Sequence, residues 1–203
     1  MTSGTGRTGT PEAWLRAGGV VAALMVAGSQ FADALAGGLD PVLKAVQQNS
    51  TTLSPAIVVT AWTIFIATLA AGFIAAFWTA MKRAERGMSD GRTHLLLAVQ
   101  ALLAMAVQQE LMYLVAMELP LVLPLRIAIG WGAGAMLAVM GTTVAAAAFA
   151  HDAFVPSEGL RHLPYMWQVM LTGGAMAAWQ TFAFCGGCLA AVERRHRDRK
   201  SVV

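Results

Sequence analysis

One short stretch of the chain places charged groups and prolines together in a strongly apolar setting. It reads MELPLVLPLR and contains Glu118, Pro120, Pro124 and Arg126. Charged groups inside a membrane are costly and are candidates for function, and each proline removes a backbone donor and favours a kink. Glu118 and Arg126 are two helical turns apart, so each is expected to reach an interface or to find a partner on another helix. A purely structural role for Glu118 is the alternative.

Cysteine and histidine supply no convincing reactive site. Cys185 and Cys188 have the CxxC spacing of a redox pair, which is useful where a helix N-terminus lowers the pKa of one thiol. Both are instead expected late in a helix, and the intervening Gly186 and Gly187 favour close helix packing. The histidines never stand four residues apart within one apolar segment, which argues against a metal or haem site; they are His94, His151, His162 and His196. We therefore predict no catalytic residue, metal or cofactor in this chain.

The composition indicates that these residues lie in a membrane. Of the 203 residues, 57% are hydrophobic and 12% are charged, whereas charged residues form about a quarter of a typical soluble chain. The apolar residues form blocks long enough to cross a bilayer, which takes about 20 residues of helix. The net charge of +3 comes from basic residues at the ends of these blocks, so nucleic acid is not an expected partner. The sequence predicts an all-α integral membrane protein in contact with the lipid bilayer.

Four of these blocks are clear spans and one is ambiguous. The clear blocks are 14–38, 55–81, 127–150 and 165–192. The ambiguous block, 95–126, would be about 48 Å long as one helix, which is too long for a 30 Å hydrocarbon core. Two short spans that turn near residues 108–110 resolve it. Each would have only about 16 residues, so tilt or local thinning of the bilayer is needed.

The basic residues predict the topology, because short loops rich in Lys and Arg stay in the cytoplasm. One group begins the chain, a second follows the second block, and a third follows the last block. These residues are Arg7 and Arg16; Lys82, Arg83, Arg86 and Arg92; and Arg194, Arg195 and Arg197. An even number of spans must separate each group from the next. The prediction is a bundle of about six transmembrane helices with both termini cytoplasmic, and five spans are the alternative.

A family resemblance is carried by two segments, ELPLVLPLRIAIGW and LAAVERRHR. Between them lie a span, a polar loop and a last span. Over roughly residues 95–197 the chain resembles the membrane-sensor region of bacterial sensor histidine kinases of the DesK-like type. The resemblance implies that the last helix continues through Glu193, Arg194 and Arg195 into a dimerisation and phosphoacceptor domain and then an ATP-binding domain. It also implies a homodimer in the bacterial cytoplasmic (inner) membrane, a response regulator as partner, and ATP with Mg in the kinase half.

The chain is predicted to have four parts. Residues 1–13 form a cytoplasmic tail, 14–192 the membrane sensor, and 193–197 the start of a signalling helix. Residues 198–203, DRKSVV, are expected to be non-native, because the start of a common sequencing adapter can encode them. The family's phosphoacceptor segment, asparagine box and ATP lid are missing, so the chain should be inactive as an enzyme by itself.

A second class of function stays open. The chain would then be a complete small membrane protein, such as a transporter or carrier subunit, although its sparse intramembrane charge speaks against a transport site. If the chain is a sensor, its short outer loops, about 37–54 and 151–164, hold no ligand-binding domain. We therefore expect its stimulus to arise in the membrane, as bilayer thickness, temperature or a small amphiphile.

Overall fold

The computed structural model of the chain describes residues 11–34, 36, 39, 54–149 and 158–200, and all regular structure in these ranges is helical. The predicted tail before residue 11, most of the loop 37–54, residues 151–157 and the end of the chain after residue 200 lie outside the described residues, as do Arg7 and His151. The all-α prediction is confirmed. The helices are α1 Pro11–Asp33, α2 Pro55–Glu85, α3 Gly91–Val107, α4 Met112–Val122, α5 Leu125–Phe149 and α6 Tyr165–Lys200.

Three helices are long and apolar enough to cross a membrane, as expected of a helical membrane protein. Within the described part of the chain they are Pro55–Glu85, Leu125–Phe149 and Tyr165–His196. Many of their large apolar side chains point outward, for example Leu137 and Phe182, which are 71% and 73% exposed. Such an extensive apolar surface is unusual for a soluble monomer and suits contact with lipid.

The ambiguous block 95–126 folds as two helices, and the predicted turn near residues 108–110 is confirmed. A 3-10 turn at Gln109–Leu111 separates α3 from α4. The two helices are unequal, with 17 residues in α3 and 11 in α4. At 1.5 Å per residue α4 is about 17 Å long, little more than half of a 30 Å core. The number of spans therefore stays a prediction.

The short helix α4 lies in the centre of the bundle. Seven of its 11 residues are buried, including Met112, Val115 and Leu119, which belong to the main apolar cluster. That cluster continues into α2 through the parallel rings of Phe73 and Phe77, whose centroids are 6.4 Å apart. A helix buried on nearly all sides makes its backbone contacts with protein, where a short or kinked segment is tolerated at membrane depth.

The turn between α2 and α3 is well defined by its own residues. Gly87 adopts a positive φ of 68°, which a residue without Cβ does at little cost. Asp90 then caps α3 by accepting a hydrogen bond from the Thr93 amide at 3.1 Å, and Arg83 donates to the same carboxylate at 2.6 Å. The hydrogen bond from Arg83 is the main reason that the pKa of Asp90 is lowered to about 2, so this ion pair persists at neutral pH.

The basic groups of three segments lie at one end of the bundle. Arg16, near the start of α1, forms an ion pair with Glu85 at the end of α2, with 3.2 Å between Nη1 and Oε1. Arg194, near the end of α6, donates from Nη2 to the carbonyl oxygen of Ala84 at 3.4 Å. This common location agrees with the argument from charge. That this end faces the cytoplasm remains a prediction.

The orientation can be tested with single-cysteine variants at Gln109, Glu158 and Arg86. Cys185 and Cys188 are first replaced by alanine. Because Gln109 and Glu158 lie in turns at the predicted outer side, both cysteines should react with an impermeant thiol reagent added to intact cells. The cysteine at position 86 should react only after the cells are opened. Labelling at position 86 in intact cells would overturn the orientation, and silence at position 109 alone would show that the α3–α4 hairpin does not reach the outer surface.

Candidate functional site

Glu118 is fully buried in α4 and has a partner on another helix. Gln100 of α3, also fully buried, donates from Nε2 to Oε2 of Glu118 at 2.6 Å. The sequence predicts that Glu118 reaches either a membrane interface or a partner on another helix, and the structure shows a partner. Within the described part of the chain, Oε1 of Glu118 and Oε1 of Gln100 have no hydrogen-bond partner. This acid–amide pair holds α4 against α3.

A second contact of α4 is made with α6 at Gly187. A Cβ atom added to Gly187 would collide with the backbone carbonyl oxygen of Met117. The absence of a side chain is therefore what allows the two helix backbones to come this close, as small residues commonly do in membrane bundles. Beside Gly186, in contrast, nothing lies within 4 Å of such an atom. Close helix packing, predicted for both glycines of the CGGC segment, is therefore found at Gly187 and not at Gly186.

The two prolines have different local effects. Pro120 lies inside the last turns of α4, where it leaves the carbonyl of Ala116 without its helical donor. Pro124 follows Leu123, whose extended backbone (φ −113°, ψ 155°) ends α4. A residue before proline is disfavoured in the helical region, so Pro124 explains why α4 stops here. The two prolines thus weaken one end of α4 and separate it from α5.

The sequence gives seven candidate signalling residues: Glu118, Pro120, Pro124, Arg126, Glu193, Arg194 and Arg195. Four of them line one cavity at the basic end of the bundle. This cavity of about 340 Å³ lies between the Pro120–Pro124 segment, the α2–α3 turn and the last part of α6. The four residues are Pro120, Pro124, Arg194 and Arg195. Glu118 instead lies deeper in the protein, while Arg126 and Glu193 are exposed and do not line it. The proline segment therefore faces the basic end of α6.

The cysteines and the described histidines form no reactive cluster. Cys185 is exposed, Cys188 is half-buried, and neither is in a disulfide bond. His94 stacks on Trp131 with 6.1 Å between ring centroids. Over the ranges that the structure describes, no three His, Cys, Asp or Glu side chains are grouped so that they could hold a metal ion.

Sequence reasoning missed two buried glutamines. Gln100 interrupts the apolar run LLLAVQALL, and Gln180 interrupts AAWQTFAF. Both are buried. The signal that identifies them is an uncharged amide within an apolar run, since polar as well as charged groups inside a membrane are functional candidates. An amide in an apolar helix is also expensive to bury without a partner.

Comparison of the chain with models of protein families, with curated proteins and with solved structures found no match. The resemblance to DesK-like kinases therefore depends on the sequence segments alone. What the geometry adds is a short central helix, held by a buried polar pair and a close glycine contact, beside the long helix α6.

Proposed function

We propose that the chain is the membrane signal-sensing domain of a DesK-like sensor histidine kinase in the bacterial cytoplasmic membrane. The signal would pass through α6 to a dimerisation and phosphoacceptor region and an ATP-binding region, which would use ATP and Mg and phosphorylate a response regulator. The observation that carries the proposal is the packing of α4 along α6. Their backbones meet at Met117 and Gly187, and the proline segment faces Arg194 and Arg195.

In this proposal α4 is the element with two positions. Because α4 is only about 17 Å long and is enclosed by protein, a change in bilayer thickness would alter the mismatch of the lipid-facing helices packed around it and would reach α4 through them. Mismatch costs fractions of a kcal/mol per Å, and a few Å summed over a dimer give about 1–3 kcal/mol. That is enough to bias a two-state switch. Since α4 and α6 are in backbone contact, displacement of α4 would shift or rotate the exit helix.

The test is a chimera that joins residue 197 to the kinase half of a DesK-like protein, in register with its own exit helix. Autophosphorylation is measured in bilayers of graded acyl length. The unchanged sensor should respond by about tenfold across the series, which corresponds to a coupling free energy within the usual range. Pro120→Ala restores a donor to the Ala116 carbonyl and should flatten this response, because it stiffens α4.

Glu118→Gln is the matched control, because glutamine keeps the shape and can still accept the hydrogen bond from Gln100. It should retain the response to thickness. A second control inserts one residue at the junction, which turns the kinase half by about 100° relative to α6 and should change the basal activity. If the activity ignores bilayer thickness in the unchanged sensor and in both substituted forms, sensing through α4 is excluded.

A second candidate function is a small polytopic membrane protein such as a transporter or carrier subunit. The observation that favours it is the pair of buried, incompletely hydrogen-bonded polar groups at Glu118 and Gln180, since intramembrane polar groups often mark a transport path. The genomic DNA after codon 197 discriminates between the two. A continuous reading frame into a heptad pattern and a phosphoacceptor histidine supports the sensor, whereas a native stop codon supports the small membrane protein.

A further inference from the structure

A second cavity, of about 190 Å³, lies between α4, α5 and α6. It is distinct from the cavity at the basic end, and among the described lining residues only Gln180 and Thr181 bring side-chain oxygen or nitrogen to its walls. The other walls are small or apolar side chains, among them Ala116 of α4, Gly132 of α5 and Phe184 of α6. None of the described residues that line this cavity carries a charge.

The side chain of Gln180 is in an unusual state for a buried amide. It is only 1% exposed, yet neither Oε1 nor Nε2 has a hydrogen-bond partner among the described residues. The neighbouring hydroxyl of Thr181 is already engaged, because it donates to the carbonyl oxygen of Ala177 at 2.8 Å. A buried amide with no partner carries a desolvation cost. A ligand that offers both a donor and an acceptor would remove this cost.

We propose that this cavity binds a small neutral alcohol that partitions into the membrane. The hydroxyl of the ligand would donate to Oε1 of Gln180 or accept from Nε2, and the apolar body would fill the space between the three helices. The uncharged walls exclude a charged head group, which would be buried without a counter-ion. A dry apolar cavity of about 150 Å³ accommodates benzene, so the cavity here suits a short alkyl chain or a single ring. Binding does not depend on whether the chain signals to a kinase.

Photolabelling of the full chain in lipid nanodiscs tests the proposal. The probe is a hexanol whose alkyl chain carries a diazirine, and the labelled residues are mapped by mass spectrometry. Labels should concentrate on the lining segments of α5 and α6 around residues 129–136 and 180–184. Unlabelled hexanol should compete at a membrane concentration about three- to tenfold lower than that of hexane, which is the ratio expected from one net hydrogen bond.

Gln180→Leu is the decisive variant. It keeps a similar volume and removes the polar atoms, so hexanol and hexane should compete equally while the bundle keeps its stability. Gln168→Leu is the matched control, because Gln168 lies on the same helix about 18 Å away, does not line the cavity, and donates from Nε2 to the carbonyl oxygen of Leu163 at 2.7 Å. It should compete as the unchanged chain does. Ala133→Leu, which adds bulk at a lining position, should abolish the concentrated labelling.

Three results would overturn the proposal. Labels spread evenly over lipid-facing residues such as Leu137 would show partition into the bilayer and no site. Equal competition by hexanol and hexane in the unchanged chain would show that the cavity takes any apolar chain, including a lipid tail. A Gln180→Leu variant that still prefers hexanol, or that unfolds more readily than the unchanged chain, would show that the amide is not an unpaired group awaiting a ligand.

Discussion

Replacing Gly187 with alanine is expected to destabilise the helix bundle by about 1–3 kcal/mol, the usual cost of overpacking a tight contact. The added methyl group would collide with the carbonyl oxygen of Met117, which belongs to a backbone and cannot rotate away as a side chain could. The helices α4 and α6 would have to separate. Helical circular dichroism during titration of the detergent-solubilised chain with SDS measures the loss, as an earlier midpoint.

Gly186→Ala is the matched control for this prediction. It makes the same chemical change one residue earlier, where the new Cβ meets open space. Alanine favours a helix over glycine by about 1 kcal/mol, so this variant should be neutral or slightly stabilised. Equal midpoints for the two variants would show that α4 and α6 do not meet at Met117, and the proposed coupling between them would lose its main support.

This pair of glycines shows where prediction from the sequence ends. Gly186 and Gly187 are adjacent, equally small and flanked by cysteines, so the pattern predicts close packing for the pair as a unit. Which of the two faces α4 depends on the rotation of α6 about its own axis, and neighbouring positions on a helix are about 100° apart. That rotation is set by the tertiary packing of several helices, which local composition does not encode.

The ambiguous block 95–126 is the opposite case, because a proline in its sequence predicts a helix end that apolar length and charge parity do not. Apolar length and charge parity predicted two helices with a turn near residue 109, and the turn lies there. The same reasoning predicted two nearly equal halves, which is wrong, since α4 has 11 residues. Pro124 forces Leu123 into an extended conformation, and the rule for residues that precede proline would have ended α4 at this point.

The sequence predicts that Glu118 needs a polar partner or an interface, but it does not predict which residue the partner is. The cost of an isolated carboxyl group in an apolar helix predicts that it reaches either an interface or a partner, and the structure shows a partner. That this partner is Gln100, 18 positions earlier, follows from the antiparallel return of α4 along α3 and from the length of the turn. Neither is visible in the residue types alone.

Loss of the hydrogen bond between Gln100 and Glu118 is the second change with a large expected effect on stability. Glu118→Leu leaves the fully buried Gln100 without its hydrogen bond, and Gln100→Leu does the same to Glu118. Each single substitution should lower the stability of the bundle by about 1–3 kcal/mol, which is the desolvation cost of one orphaned polar group. The midpoint of SDS-induced unfolding measures this loss for both variants.

The double variant with leucine at both positions should recover most of that loss, because it leaves no polar group to satisfy. Replacing both partners of a buried hydrogen bond by apolar groups is often nearly neutral. The coupling free energy from the complete double-mutant cycle is the sum of the two single losses minus the small loss of the double variant, so it should be about 2 kcal/mol or more. Strictly additive losses would show that Gln100 and Glu118 do not interact. In that case α4 is not held against α3 by this pair, and a thickness-dependent motion of α4 would need a different restraint.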